Sequence, residues 1–176
     1  MSARGSSAPL VVVMGVSGCG KSTVGAALAD RLRVPFLDAD DLHPSSNVAK
    51  MSQGIPLTDD DRAPWLDAVG EKLAQHRLTG LVVACSALKT RYRGMLRHHV
   101  PQVFFVHLEA TRQVLAQRMV FRSSHFMPLA LLDSQLATLE PLAAEENGIA
   151  VSADQSVGDV IGVVERALRS VTLPVR

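Results

Sequence analysis

The junction of Leu10-Val-Val-Val-Met14 with Gly15-Val16-Ser17-Gly18-Cys19-Gly20-Lys21-Ser22 restricts the fold more than any other part of the sequence. Five apolar residues with three consecutive valines read as a strand buried on both faces, which points to a parallel sheet. Val24, Leu28, Ala29 and Leu32 then recur at helical spacing. The loop between them fits G-x-x-x-x-G-K-[ST], a pattern that needs this strand before it and this helix after it. Its glycines allow a tight turn in which successive N–H groups face phosphate oxygens, and the helix N-terminus adds partial positive charge. In this reading Gly15 to Thr23 cradle a nucleoside triphosphate, Lys21 reaches the β and γ phosphates and the Ser22 hydroxyl ligates Mg²⁺.

The remaining pattern alternates strands with helices. Val34-Pro-Phe-Leu37 reads as a second strand, Leu81–Cys85 as a third, Val103–Val106 as a fourth and Gly148–Val151 as a short fifth. Ser45–Met51 is a short helix with Ser45 or Ser46 as N-cap, and Thr58 caps a longer helix with an acidic first turn that Gly80 closes. Further helices are expected from about Lys89 to His98, Thr111 to Val120, Leu129 to Leu139 and Val157 to Leu168. Strands and helices in this order argue for an α/β domain with helices on both faces of the sheet, and ligands in such sheets bind at the strands' carboxyl ends.

With 176 residues the chain suits one domain, expected over 10–176 with residues 1–9 as a flexible tail. A net charge of +1 gives no basic field for nucleic acid or membrane. The first apolar run is too short for a signal peptide or a membrane span. Two cysteines give no disulfide framework and suit a reducing cytoplasm. Cys19, at a helix N-terminus, reads as a passive small residue or as an activated thiol.

Three clusters carry candidate chemistry. Asp38 and Asp40 end the second strand, where alternation would put both on one face. One could hold Mg²⁺ through water while the other accepts a hydrogen bond from an attacking hydroxyl; an N-cap or a solvated turn is the alternative. Arg62, Lys89 and Arg93, with His43 and Lys50, follow the second and third strands and could converge on an anionic acceptor, arginine being suited to gripping a carboxylate by two hydrogen bonds. Arg118 and Arg122 lie four apart, on one helical face, ahead of the polar Ser123-Ser124-His125 stretch, where they could close over the triphosphate. Solvated surface positions are the alternative for both cationic clusters. His98, His99 and His107 lack metal-ligand spacing and read as surface or packing residues. The guanine-recognition pattern Asn-Lys-x-Asp is missing, which counts against a nucleotide-gated switch.

Three longer segments carry a resemblance. Asp38-Ala-Asp40-Asp-Leu-His43-Pro-Ser-Ser-Asn47-Val-Ala-Lys50-Met, Gly54-Ile-Pro-Leu-Thr-Asp-Asp-Asp61-Arg62-Ala-Pro-Trp65-Leu and Cys85-Ser-Ala-Leu-Lys89-Thr-Arg-Tyr92-Arg93 resemble the small P-loop gluconate kinases, relatives of shikimate kinase. The likeness resumes at His125-Phe-Met-Pro128 and Leu132-Asp-Ser-Gln135-Leu-Ala-Thr-Leu-Glu140 and spans about Leu10 to Leu168. It implies a nucleoside-monophosphate-kinase-like fold, a five-stranded parallel sheet of order 2-3-1-4-5 with a lid over about 120–130, and ATP-dependent phosphorylation of the 6-hydroxyl of D-gluconate. By the same resemblance Lys21, Asp40 and Arg122 are catalytic, with Asp40 facing the accepting hydroxyl. His43, Arg62, Lys89, Arg93 and His125 join Asp40 around the sugar acid. Arg118 lies by the adenine, Ser22 and Asp38 hold Mg²⁺, and the molecule is a homodimer. Where the family often has Arg-Lys-Gly-His-Phe, this chain has Arg122-Ser-Ser124-His-Phe, one lysine and one glycine fewer in the lid. A kinase for another small hydroxy acid is the runner-up.

Overall fold

Alternating residues of the first strand, β1 (Leu10–Met14), bury into opposite cores, which is why its apolar run is unbroken. The computed structural model describes residues 8–121 and 129–172. After β1 come α1 (Lys21–Leu32), β2 (Phe36–Asp38), a 3₁₀ turn (Ala39–Leu42), α2 (Ser45–Ser52), α3 (Asp59–Gln75), β3 (Leu81–Ala84) and α4 (Thr90–His99). Then follow β4 (Phe104–Glu109), α5 (Arg112–Phe121), α6 (Leu129–Thr138), β5 (Gly148–Ser152) and α7 (Val157–Thr172). The strands form one parallel sheet of order β2-β3-β1-β4-β5, as expected.

Val11 and Val13 of β1 pack with Val82, Phe104, Val106 and Leu108 against Val24 and Leu28 of α1 and Val160 and Val164 of α7. Leu10, Val12 and Met14 pack with Leu81, Val83 and Phe105 against Trp65, Leu66, Val69 and Leu73 of α3 and Tyr92 and Leu96 of α4. Burying each large aliphatic side chain contributes about 1.5–3 kcal/mol, so the sheet is held from both faces by comparable terms. β1 occupies the middle, and the loop that follows it emerges at the carboxyl edge.

The helix starts follow local chemistry. Thr58 accepts from the Asp61 amide while the Asp61 carboxylate accepts from the Thr58 amide, a reciprocal cap that fixes the first turn of α3. Thr111 Oγ1 accepts from the Val114 amide at the start of α5. Three expectations need correction. The chain enters α2 through Pro44 rather than through a capping serine. α3 stops at Gln75, before Gly80, after which a turn of four residues leads to β3. β2 ends at Asp38, and Asp40 already belongs to the 3₁₀ turn, so strand alternation does not relate the two carboxylates. Pairing also begins one residue ahead of β1, where the Pro9 carbonyl accepts from the Leu81 amide. The tail expectation otherwise concerns residues 1–7, outside the described residues.

Candidate active site

Two loop glycines are dictated by geometry. Gly15 has φ +142°, and a Cβ there would lie 2.8 Å from Cys19 Sγ and 2.9 Å from the Leu108 carbonyl. Gly20, at φ +98°, is the left-handed residue from which α1 starts. No side chain caps that helix, so the N–H groups of its first turn remain available at the loop. Lys21 Nζ donates to the Val16 carbonyl at 3.1 Å, folding over the loop it belongs to. Cys19 is buried, and burial pushes its thiol up despite the nearby Lys21 charge, in keeping with a passive residue.

On one side of the loop a cavity of about 350 Å³ is lined by Gly18, Cys19, Thr23, Arg118, Ala153 and Gln155 among others. Arg118 donates to the Ala153 carbonyl at 2.6 Å and to the Cys19 carbonyl at 3.4 Å, so it bridges the loop and the segment after β5. Arg118 thus lines this cavity together with the phosphate loop. Arg122 and His125, and with them most of the expected lid, lie outside the described residues.

On the other side stand the carboxylates. Ser22 Oγ donates to Asp38 Oδ2 at 2.7 Å, and the Asp40 amide donates to Asp38 Oδ1 at 3.1 Å. Asp38 is thus both an N-cap of the 3₁₀ turn and a partner of the phosphate loop. The Asp40 carboxyl is open, with its side chain 85% exposed. Partial loss of hydration, followed by repulsion from Asp38, pushes its pKa up, while His43 and Lys21 pull it down. The His43 ring stacks on Trp65 with centroids 4.3 Å apart, and Trp65 Nε1 donates to the Ala39 carbonyl at 2.7 Å.

The expected cationic cluster is only partly assembled. Arg62 and Lys89 both face the Tyr92 ring, 5.8 and 5.5 Å from its centroid. Arg62 also donates to the Leu57 carbonyl. Lys89, Arg91 and the Tyr92 hydroxyl converge on the Asp59 carboxylate, and these hydrogen bonds, the Tyr92 one first, hold its pKa down. Lys50 pairs with Asp61 at 2.7 Å, and that contact leads in lowering the Asp61 pKa to about 2. Arg93 is the clear correction. It is fully buried and forms a two-point ion pair with Glu146, so it is closed off from any acceptor.

Three residues with no role assigned from sequence enter the site. Gln135 of α6 accepts from the Ser17 amide at 2.7 Å and so ties the helix after the lid region to the phosphate loop. Asn47, 2% exposed, lies between His43 and the start of α3. Asp61 anchors that start. Gln135 and Asn47 stood within the quoted family segments, but spacing alone does not say what an amide side chain touches. Of the histidines, His99 pairs with Asp67 at 2.6 Å and His107 is buried in β4. Among the described residues no group of three potential ligands could hold a metal by itself.

A parallel sheet of this order, with a phosphate loop on its middle strand, a cavity beside that loop and the carboxylates of Asp38 and Asp40 next to Ser22, has the architecture of a small P-loop kinase. The family model described as Shikimate kinase matches residues 17–160. A probable gluconokinase of Xenopus tropicalis is 43% identical over 173 residues, covering 89% of this chain and 91% of its own. A gluconokinase of Gluconobacter oxydans is 49% identical over 147 residues, covering 82% and 83%. The crystal structure of a gluconokinase from Sinorhizobium meliloti aligns with a TM-score of 0.85 at 47% identity over 93% of both chains. This chain belongs to the gluconokinase family of shikimate kinase-like enzymes and is a kinase that uses ATP.

Proposed function

We propose that the protein transfers the γ-phosphoryl group of ATP to the 6-hydroxyl of D-gluconate, giving 6-phospho-D-gluconate and ADP. The observation that carries this reading is the chain of contacts from Ser22 through Asp38 to Asp40, which sets an open carboxylate beside the phosphate loop. Gly15, Val16, Ser17, Gly18, Cys19, Gly20, Lys21, Ser22 and Thr23 hold the phosphates, and Arg118 flanks the base. Asp40 accepts a hydrogen bond from the attacking hydroxyl and takes its proton late, since a carboxylate is too weak a base to remove it beforehand. Arg62 and Lys89 attract the carboxylate end of the sugar acid, with His43 on the wall of the cleft. Arg122 and His125 complete the set from the lid, which excludes water from the transferring group.

Ser22 Oγ and Asp38 are hard oxygen donors already in contact, and they fit Mg²⁺, a cation that keeps several waters and binds through few protein ligands plus substrate phosphates. When bound, the ion would supply charge neutralisation on the triphosphate. The homodimer expected from the family and a cytoplasmic location belong to the same reading. Both cysteines are free and buried, and no described helix is long and apolar enough to cross a membrane.

A coupled assay of ADP release with gluconate, shikimate or water as acceptor tests the assignment. Turnover with gluconate alone is the expected result; turnover independent of acceptor would overturn it. Lys21→Ala is expected to lower kcat by about 10²–10³-fold, the usual size for removing one group that stabilises transition-state charge. Nucleotide titration should still show binding to that variant. Arg62→Ala is expected to raise the gluconate KM by about 10–100-fold, as for loss of a charged hydrogen bond, with the ATP KM little changed. An unaltered gluconate KM would remove Arg62 from the acceptor site.

A further inference from the structure

Four groups in sequence reach from the start of α3 to the candidate base. The Asp61 carbonyl accepts from Asn47 Nδ2 at 2.9 Å, and the same Nδ2 lies 3.3 Å from His43 Nδ1. His43 Nε2, on the far side of the ring, lies 3.9 Å from Asp40 Oδ1. A carboxamide nitrogen carries two hydrogens and no lone pair for hydrogen bonding. Turning the amide over would set its oxygen against the Asp61 carbonyl, acceptor against acceptor, in a place where Asn47 is buried. The main chain therefore fixes the amide, and the amide offers a hydrogen to Nδ1. Nδ1 must then accept, which leaves the ring proton on Nε2.

We propose that the Asp61 carbonyl and Asn47 hold His43 as a neutral imidazole whose Nε2–H is directed at Asp40, so that His43 is a positioning residue for that carboxylate. The inference rests on the reading of Asp40 as the group that faces the acceptor hydroxyl. A movement of the open Asp40 side chain by about 1 Å brings Oδ1 within hydrogen-bond distance of Nε2. With one oxygen held by the imidazole, the other is aimed at the acceptor. Stacking on Trp65 prevents the ring from tilting away, and Lys50 pins Asp61 from the outside. Burial lowers the pKa of His43, and the Arg62 charge adds to this, while Asp40 opposes both. The neutral ring therefore matches its surroundings as well as its hydrogen bonds. The family resemblance placed His43 around the sugar acid; the geometry gives it an indirect task.

The tautomer is directly measurable. In the full-length protein with ¹⁵N-labelled histidine, long-range ¹H–¹⁵N correlation at neutral pH reports which ring nitrogen carries the proton. The His43 signals are assigned as those missing from the His43→Gln or His43→Asn spectrum. An Nε2–H pattern is expected, together with a mixed or Nδ1–H pattern in Asn47→Leu. An Nδ1–H or doubly protonated ring in the unaltered protein overturns the proposal. A kinetic arm uses side-chain geometry: a glutamine amide can place an N–H near the position of Nε2, whereas asparagine mimics only Nδ1. His43→Asn should lower kcat by about 10–100-fold, the scale seen when the partner that orients a ligand side chain is removed. His43→Gln should recover most of that loss, with the ATP KM unchanged in both. Equal kcat in the two variants also overturns the proposal. Asp40→Asn separates this inference from its foundation. Full turnover in Asp40→Asn defeats the assignment of Asp40 itself, whereas an inactive Asp40→Asn with the wrong His43 tautomer defeats only the positioning role.

Discussion

Asp40→Asn is expected to lower kcat with gluconate by about 10²–10⁴-fold, the range for loss of a positioned general base. The amide keeps the size and planarity of the carboxyl but cannot take the proton that the attacking hydroxyl must shed. ATP binding should change little, because the residues proposed to hold the nucleotide, the phosphate loop and Arg118, stand on other elements. The pH dependence supplies a second check. Partial loss of hydration and the Asp38 charge raise the folded pKa of this largely exposed carboxyl, so its proton-accepting form is lost as pH falls through a value above the ordinary aspartate range. The acid limb of kcat/KM should therefore lie above that range in the unaltered enzyme, and Asp40→Asn should lack it. Equal losses in turnover and in ATP affinity would contradict the role, since they would mean that the substitution had disturbed the loop instead.

The strands were legible because each is buried on both faces, so that hydrophobicity alone marks it out: Val11 and Val12 belong to different cores yet look alike in sequence. The phosphate loop was legible because its backbone tolerates only glycine at points such as Gly15. Where side chains compete with the backbone, one-dimensional patterns failed. Asp38 accepts the Asp40 amide, ends β2 and starts a 3₁₀ turn, so the pair reaches the site by capping rather than by strand alternation. Asn47 stood within a family-like segment, but its contacts were not legible, because its partners lie on two different elements. Arg93 misled for a related reason. It stands in the segment that follows β3, where acceptor-binding cations were expected, and its partner Glu146 lies 53 residues further on, next to another glutamate, in what reads as a solvated turn.

That correction gives the second large effect: Arg93→Met is expected to destabilise the fold by about 3–5 kcal/mol, the cost of leaving a buried ion without its partner. Both side chains are fully enclosed. Arg93 Nε and one terminal nitrogen donate to Glu146 at 2.8 and 2.9 Å. The terminal nitrogens also donate to the Ala87 and Glu140 carbonyls at 3.1 Å and to the Pro141 carbonyl at 3.0 Å. One guanidinium thus ties the loop after β3, where Ala87 sits at φ +43°, to the segment leading into β5. Burial disfavours an ionised Glu146, but Arg93 and the Ala143 amide more than offset it and hold its pKa below the usual range. A depressed folded pKa means that this stabilisation is present above the pKa of the unfolded chain and is lost as pH falls through the folded value. Arg93→Met should therefore lower Tm by roughly 6–20 °C near neutral pH, at about 2–4 °C per kcal/mol for a chain of this size, and by less in acid. Adding Glu146→Leu should recover part of the loss, because the buried carboxylate that has lost its main partner is gone, but not all, because the carbonyls Arg93 served lack that donor and the Ala143 amide loses its acceptor. Thermal unfolding of the single and double variants measures both steps. Gluconate KM, taken well below the lowered Tm, should stay close to that of the unaltered enzyme, because every polar contact of the buried Arg93 is within the fold. A large rise in KM with Tm unchanged would return Arg93 to the acceptor site and remove it from the core.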